Sequence, residues 1–214
     1  MVASYVQLLE RRYKGKLDQD ADDFIGFAVD GATRMQVLIN DLLAYSRVGR
    51  VGRPMEPVDC NRVIEYALAD LETSIEQDQA KITADPLPMV MGELGQLTQV
   101  FENLLGNGIK FHGEVSPRIH VSAERDSDFW QFSVSDNGIG IEPQYWERIF
   151  LIFERLHERT AYPGTGIGLA ITRKIIERHG GHIWVKSEYG AGTQFLFTLP
   201  IVNKRMKNGK QQPD

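Results

Sequence analysis

Three glycine clusters at the seams between differently patterned segments constrain this chain more than any other feature. "SDNGIGIE" (135–142) leaves a strand-like run, "PGTGIGLA" (163–170) runs straight into a helix, and "YGAGT" (189–193) sits inside a closing hairpin. Any one of them reads as an ordinary turn, because glycine is the default residue for strained backbone. In this order they share a chemistry. Asp136 ends an alternating strand, where an exposed carboxylate can accept a hydrogen bond from an exocyclic amine such as that of adenine. Gly138 and Gly140 let the backbone pass close to a flat ring. The turn from Gly164 through Thr165 and Gly166 to Gly168 opens a helix, so it presents free N–H groups and the positive helix end to phosphates. No G-x-x-x-x-G-K-[ST] loop occurs, and "GIGI" lacks the further glycine of a dinucleotide fingerprint.

Upstream, "FENLLGNGIKFHGE" (101–114) has helical spacing with unusual chemistry. Asn103 and Asn107 lie four apart and share one face, and Lys110 follows one turn later. A solvated face would explain an isolated pair. Beside the glycine clusters the same residues supply neutral oxygens for a hard cation that keeps some waters and bridges phosphates, as magnesium does, plus a point charge for phosphate oxygens.

The flanking segments set the architecture. Residues 1–47 read as two helices, the second from about 20 to 47 with Phe24, Ala28, Gly31, Met35, Leu38, Leu42 and Tyr45 alternating in steps of four and three. That stripe belongs to a coiled coil or antiparallel bundle, and two such helices bury it best as a four-helix dimer. The expected division is a helical hairpin at 1–48, a Gly/Pro/Arg linker at 49–57, an α/β domain at 58–201 and a polar, disordered tail at 202–214. Within the domain, Asp59 caps a helix carrying Val63 to Ile75. Two short strands follow in "KITADPLPMVMG", then the asparagine helix, a hairpin, a loop, a helix and a second hairpin. The order predicts an α/β two-layer sandwich, a mixed sheet with helices on one face, and not a doubly wound Rossmann sheet.

Composition narrows the partners. A net charge of −5 without a long basic run before the tail argues against nucleic acid. Cys60 is the one cysteine, so no internal disulfide forms, and a cytoplasmic setting is expected. No apolar run approaches the ~18 residues that span a bilayer, so this segment is expected to make no membrane contact.

These residues together resemble the catalytic ATP-binding domain of sensor histidine kinases, whose Bergerat fold is shared with gyrase-type ATPases, Hsp90 and MutL. The N box is "ENLLGNGIKF", G1 "DNGIGI", the F box "FLIFERL", G2 "GTGIGL" and G3 "GAGT". "YVQLLERRY", "NGIKF" and "RIFLIFERLH" look like the kinase regions of bacterial phytochrome-type sensors. The resemblance implies a protein-histidine kinase of a two-component system with ATP and Mg²⁺ as cofactors. It implies that Asn107 holds Mg²⁺ with Asn103 beside it, that Lys110 and Arg155 contact phosphates, and that Arg155 helps charge develop on the γ-phosphoryl. It further implies that Asp136 reads the adenine amino group with Thr193 supporting it through a water. Phe111, Ile141, Ile149 and Leu169 belong to the nucleotide site, and 154–165 is a lid. Glu102 is the candidate for activating an acceptor histidine, although helix geometry turns it about 100° from Asn103. The ATPase relatives place a glutamate where Asn103 stands, so the amide argues for transfer over hydrolysis.

The family phosphorylates a histidine in the first hairpin helix. The five histidines here are His112, His120, His157, His179 and His182, all in the second domain. The sequence is therefore expected to be a truncated portion that binds ATP without autophosphorylating, dimerises weakly through its hairpin, and relays phosphate to a response regulator receiver domain through a histidine supplied elsewhere. The alternatives are an anti-sigma-type serine kinase and a nucleotide-binding interaction module.

Overall fold

Polar caps and apolar periodicity fix the helices where they occur. The computed structural model describes residues 1–49, 54–156, 162 and 164–202. The chain divides into two units, 1–46 and 47–214.

In the first unit, α1 (Val2–Tyr13) and α2 (Gln19–Arg47) are joined by a polar turn. Asp18 starts α2, its carboxylate accepting from the Ala21 N–H at 2.9 Å. α1 buries no residue and α2 buries Ala32 alone. Tyr5, Leu8, Phe24, Phe27, Met35 and Leu42 are exposed, so the heptad stripe is open within a single chain. Among the described residues no helix is long and apolar enough to cross a membrane.

The second unit begins with β1 (Glu56–Asp59), followed by α3 (Cys60–Asp70), α4 (Glu72–Gln77), β2 (Lys81–Ala84), β3 (Met89–Gly92) and α5 (Leu94–Lys110). Then come β4 (Arg118–Asp126), β5 (Phe129–Asp136), two 3-10 turns at Pro143–Tyr145 and Arg148–Phe150, α6 (Gly168–Arg178), β6 (Ile183–Glu188) and β7 (Gly192–Pro200). Five strands form one mixed sheet in the order β2-β4-β5-β7-β6. β2 and β4 are parallel and the other pairs antiparallel. The expected two-layer sandwich is the fold observed.

Alternation sorts the two sheet faces. Val121, Val134, Phe195 and Val185 lie in one register row and are buried. The next row on that face holds Phe132 and Phe197, whose rings stack at 5.0 Å. Phe101 of α5 meets both edge-on at 6.0 and 5.7 Å. Each such ring contributes roughly 1.5–3 kcal/mol by leaving water, and the triad pins α5 to the sheet. The opposite face carries Thr83, His120, Ser135, Gln194 and Lys186 in register.

Two local expectations give way. The single helix expected after Asp59 breaks at Leu71 (φ −97°, ψ 2°) into α3 and α4, although Asp59 caps it by accepting from the Asn61 N–H at 2.9 Å. Glu56 and Pro57, read as the end of a linker, belong to β1. That strand is made by pairing with β3 more than thirty residues on, Glu56 opposite Gly92, a partner that local composition does not announce. Positions 50–53 of the expected linker and 203–214 of the expected tail lie outside the described residues.

Candidate nucleotide site

α5 delivers the polar stripe, and its two asparagines are treated differently. The Asn103 amide Nδ2 donates to the Gly168 carbonyl at 3.1 Å and to Thr172 Oγ1 at 3.2 Å. Thr172 is fully buried, and its hydroxyl also donates to Gly168 O at 3.0 Å. Asn103 is thus a strut between α5 and the first turn of α6, close enough that a Cβ on Gly168 would stand 3.2 Å from its Oδ1. Asn107, one turn on, is half-buried, and among the described residues its side chain takes no protein hydrogen-bond partner. A half-buried amide left open in this way is suited to a ligand.

Asp136 sits at the end of β5 against the final hairpin. Its Oδ1 accepts from the Gly138 N–H at 2.8 Å and the Thr193 N–H at 3.0 Å, while Oδ2 takes no protein donor among the described residues. Burial raises the carboxyl pKa, and the two N–H groups oppose that rise. Thr193 is buried and its hydroxyl lies 3.0 Å from Ser187 Oγ. Ser187 also receives the Ile141 N–H at 2.8 Å and donates to the Gly192 carbonyl at 2.8 Å. It therefore ties the first glycine cluster to the third. Glycine is required at this seam: Gly140 has φ +73°, and a Cβ there would stand 2.0 Å from the Glu188 carbonyl oxygen.

Lys110, Phe111 and Arg155 form the opposite, cationic end. Lys110 Nζ lies 4.3 Å from the centroid of the Phe111 ring. Burial and the nearby Arg155 guanidinium pull the Lys110 pKa down to about 8. Arg155 donates to the carbonyls of Gly164 and of Tyr162, the latter at 2.8 Å. The Tyr162 ring packs on Phe111 at 5.0 Å. Among the described residues neither Lys110 nor Arg155 has a carboxylate partner.

The remaining expected residues fall around these. Gly138 is buried, Ile149 is buried in the second 3-10 turn, Ile141 is half-buried with its carbonyl accepting from Trp146 Nε1, and Leu169 is half-buried in the first turn of α6. Thr165 and Gly166 are half-buried just before it, and the Gly166 carbonyl accepts from the Phe153 N–H at 3.0 Å. Of the expected lid, positions 157–161 and 163 lie outside the described residues, His157 among them.

Glu102 is not brought to this cluster. Its side chain lies beside the Asp70 carboxyl at the end of α3, and burial together with that neighbouring carboxylate raises its pKa to about 7. Adjacent positions on α5 face different helices, which is why Asn103 reaches α6 and Glu102 reaches α3. Sequence reading missed Ser187 and Thr172. Ser187 alternates within β6 like any strand serine, and only its position six residues before Thr193, across the last hairpin, could have flagged it. Thr172 is four residues after Gly168, on the helix face that α5 meets. No group of three or more His, Cys, Asp or Glu side chains suited to a metal occurs among the described residues, so a cation here would rest on amide oxygens and on its ligand.

Comparison with known proteins identifies the family and the fold. The profile of the family described as "Histidine kinase-, DNA gyrase B-, and HSP90-like ATPase" matches residues 92–203. The chain is 51% identical over 212 residues to cyanobacterial phytochrome A of Nostoc sp., covering 98% of this chain and 28% of that protein. The chain thus spans little more than a quarter of that relative's length. Two solved structures share the fold. Full-length ShkA, crystallised with AMPPNP, has a TM-score of 0.68 at 24% identity, with 94% of this chain and 46% of that one covered. Histidine kinase ThkA in complex with the response regulator TrrA has a TM-score of 0.66 at 24% identity, with 92% and 57% covered.

Proposed function

Because the chain belongs to the histidine kinase-, DNA gyrase B- and HSP90-like ATPase family, we propose that it is the catalytic portion of a sensor histidine kinase. It binds ATP with Mg²⁺ and passes the γ-phosphoryl to a histidine outside these 214 residues, for relay to a response regulator aspartate. One observation carries the reading: among the described residues, the Asn107 amide one turn from Lys110 has no protein partner, and Lys110 and the neighbouring Arg155 have no counter-charge. Such an end is incomplete until an anion and its cation arrive.

At the base end, the free oxygen of Asp136 accepts from the adenine amino group while its other oxygen stays fixed by Gly138 and Thr193. Thr193 and Ser187 hold that carboxylate in place. Asn107 contributes an amide oxygen to Mg²⁺, which when bound neutralises phosphate charge. Lys110 and Arg155 take up phosphate oxygens, and Arg155 stabilises charge that builds during transfer. Asn103 acts as the strut that keeps the phosphate-facing turn of α6 against α5. Its amide cannot accept a proton from water, which favours transfer to a nucleophile over hydrolysis.

The acceptor is not one of the described histidines. His112 and His179 each spend Nδ1 on a helix carbonyl, and His179 is buried with Nε2 accepting from the Glu93 N–H at 3.1 Å. His120 is engaged with Thr83 and Asp85, and His182 stacks on Trp184. The open stripe of α1 and α2 supports a dimer through the hairpin. The ThkA–TrrA complex supports a receiver domain as the downstream partner.

The test is calorimetric titration of this chain and of Asn107→Ala with AMPPNP, with and without Mg²⁺, followed by transfer from labelled ATP to a histidine-bearing hairpin added in trans. The reading expects binding that Mg²⁺ enhances, with that enhancement lost in Asn107→Ala, and acid-labile label on the hairpin. Absence of nucleotide binding would overturn it.

A further inference from the structure

The sheet face opposite the helices carries a second charged cavity, which shares only Asp136 with the nucleotide site. It measures about 580 Å³ and is lined by Lys81, Thr83, Arg118, His120, Ser135 and Asn137, among others. Lys81 and Arg118 are register partners on neighbouring strands. Like charges facing each other across a sheet repel, and among the described residues neither side chain has a carboxylate partner. Two positions on, on the same face, stands His120, whose Nδ1 lies 2.9 Å from Thr83 Oγ1 and whose Nε2 lies 3.4 Å from Asp85. Ser135 stands opposite His120, and among the described residues its hydroxyl takes no hydrogen-bond partner. Asn137 closes the end of the cavity, its Oδ1 receiving the Arg118 N–H at 2.7 Å and its Nδ2 donating to the Ser116 carbonyl at 3.2 Å.

From this we infer a second anion site, on the outer sheet face, that takes a small phosphomonoester with a polar body. A guanidinium fork beside an ammonium is the pairing that phosphate oxygens satisfy best, and a bound anion relieves the Lys81–Arg118 repulsion. The cavity lies in the size range of small-molecule sites and exceeds what a lone phosphate fills. Thr83, Ser135 and Asn137 supply hydroxyl and amide groups beside the two cations, so the remainder of the ligand is a polyol or sugar. Asp136 and Asn137 both line this cavity, which sets it behind the strand end that holds the nucleotide-site carboxylate.

The experiment is a heteronuclear NMR titration of the isotopically labelled chain with glycerol phosphate, inorganic phosphate and glycerol, at constant ionic strength. Glycerol phosphate is expected to give saturable shifts at the amides of Thr83, Ser135 and Ala191 with millimolar affinity. Inorganic phosphate should bind the same residues more weakly, and glycerol should not bind. The double substitution Lys81→Gln, Arg118→Gln should weaken binding about tenfold or more, whereas Lys186→Gln, on the same face but outside the cavity, should leave it unchanged. All substituted side chains are exposed, and a dispersed spectrum of each variant verifies its fold. Shifts that rise linearly without saturating, that persist in the double variant, or that fall instead at Thr165, Gly166 and Gly168 would overturn the assignment. Equal affinity for glycerol phosphate and inorganic phosphate would overturn the polar-body part of it.

Discussion

The two ends of the candidate nucleotide site are built on opposite principles. Around Asp136 the protein has made its hydrogen bonds already: two N–H groups fix one oxygen, and Ser187 joins Thr193, Ile141 and the Gly192 carbonyl into one network. Around Lys110, among the described residues, the Asn107 amide is open, and two cations stand close enough that their mutual repulsion helps depress one pKa. The first end is preorganised for a neutral group that must be recognised by shape and one hydrogen bond. The second holds a charge arrangement that is unfavourable until a polyanion enters, so binding energy there comes from relieving the protein's own repulsion. On the proposed reading, recognition of the base therefore resides at the carboxylate end and metal dependence at the cationic end.

The largest effect should come from Asp136→Asn, which tests the preorganised end. An asparagine oxygen can still accept from Gly138 and Thr193, so the fold should persist. The free oxygen's charge is lost, however, and an amide nitrogen can take its place. Losing a charged hydrogen bond costs about 1.5–3 kcal/mol, so affinity for AMPPNP measured by calorimetry should fall roughly ten- to hundredfold, with and without Mg²⁺ alike. A loss confined to the Mg²⁺ condition would break the division of labour between the two ends.

Next in size is the contrast between the two asparagines. Asn103→Ala removes both bonds to α6 and leaves the buried Thr172 hydroxyl with one partner fewer. It should lower stability by about 1–3 kcal/mol in denaturant unfolding and weaken AMPPNP in both metal conditions. Asn107→Ala breaks no protein bond among the described residues, so its unfolding midpoint should match the parent's while its Mg²⁺-dependent increment in affinity disappears. Equal destabilisation by the two would mean that Asn107 also serves the fold.

That contrast marks where the sequence stopped being informative. Spacing put Asn103, Asn107 and Lys110 on one helix face, and the glycine clusters placed the turns around them, because both signals are local. Strand alternation likewise marked the hairpin that became β4 and β5. What a given amide touches is a tertiary fact. Nothing within α5 says that Asn103 will be claimed by Gly168 and Thr172, sixty-five and sixty-nine residues away, while Asn107 stays open. Glu102 shows the same limit: its direction follows from helix geometry, but Asp70 as its partner depends on how α3 packs. β1 was lost for the same reason, since only its pairing with β3 makes it a strand.

A smaller effect separates the ends by proton. The Lys110 pKa is lowered to about 8, against roughly 10.4 for a free lysine, so between those values the folded chain binds fewer protons than the unfolded one. The cost of holding the charged lysine is fully present below about pH 8 and is relieved as pH rises through that window. Phosphate oxygens reverse the shift. AMPPNP binding above about pH 8 should therefore be accompanied by net proton uptake, detected as a dependence of the binding enthalpy on the buffer's ionisation enthalpy. Lys110→Met should abolish that uptake.

The smallest expected effect concerns Glu102, the side chain that the site does not gather. With its pKa raised to about 7 by burial and by Asp70, the folded state holds a proton that the unfolded state has released. The sign follows directly: stability should fall as pH rises from about 4.5 to about 7, and stay at the lower value above. Glu102→Gln keeps a donor for Asp70 without the second negative charge, so it should flatten that slope and raise the unfolding midpoint at pH 8 while leaving AMPPNP affinity unchanged. A drop in nucleotide affinity or in transfer to the added hairpin, at unchanged stability, would instead place Glu102 with the cationic end and give it a part in the chemistry. The carboxylate's engagement with α3, away from the α5–α6 seam, is the reason to expect the first result.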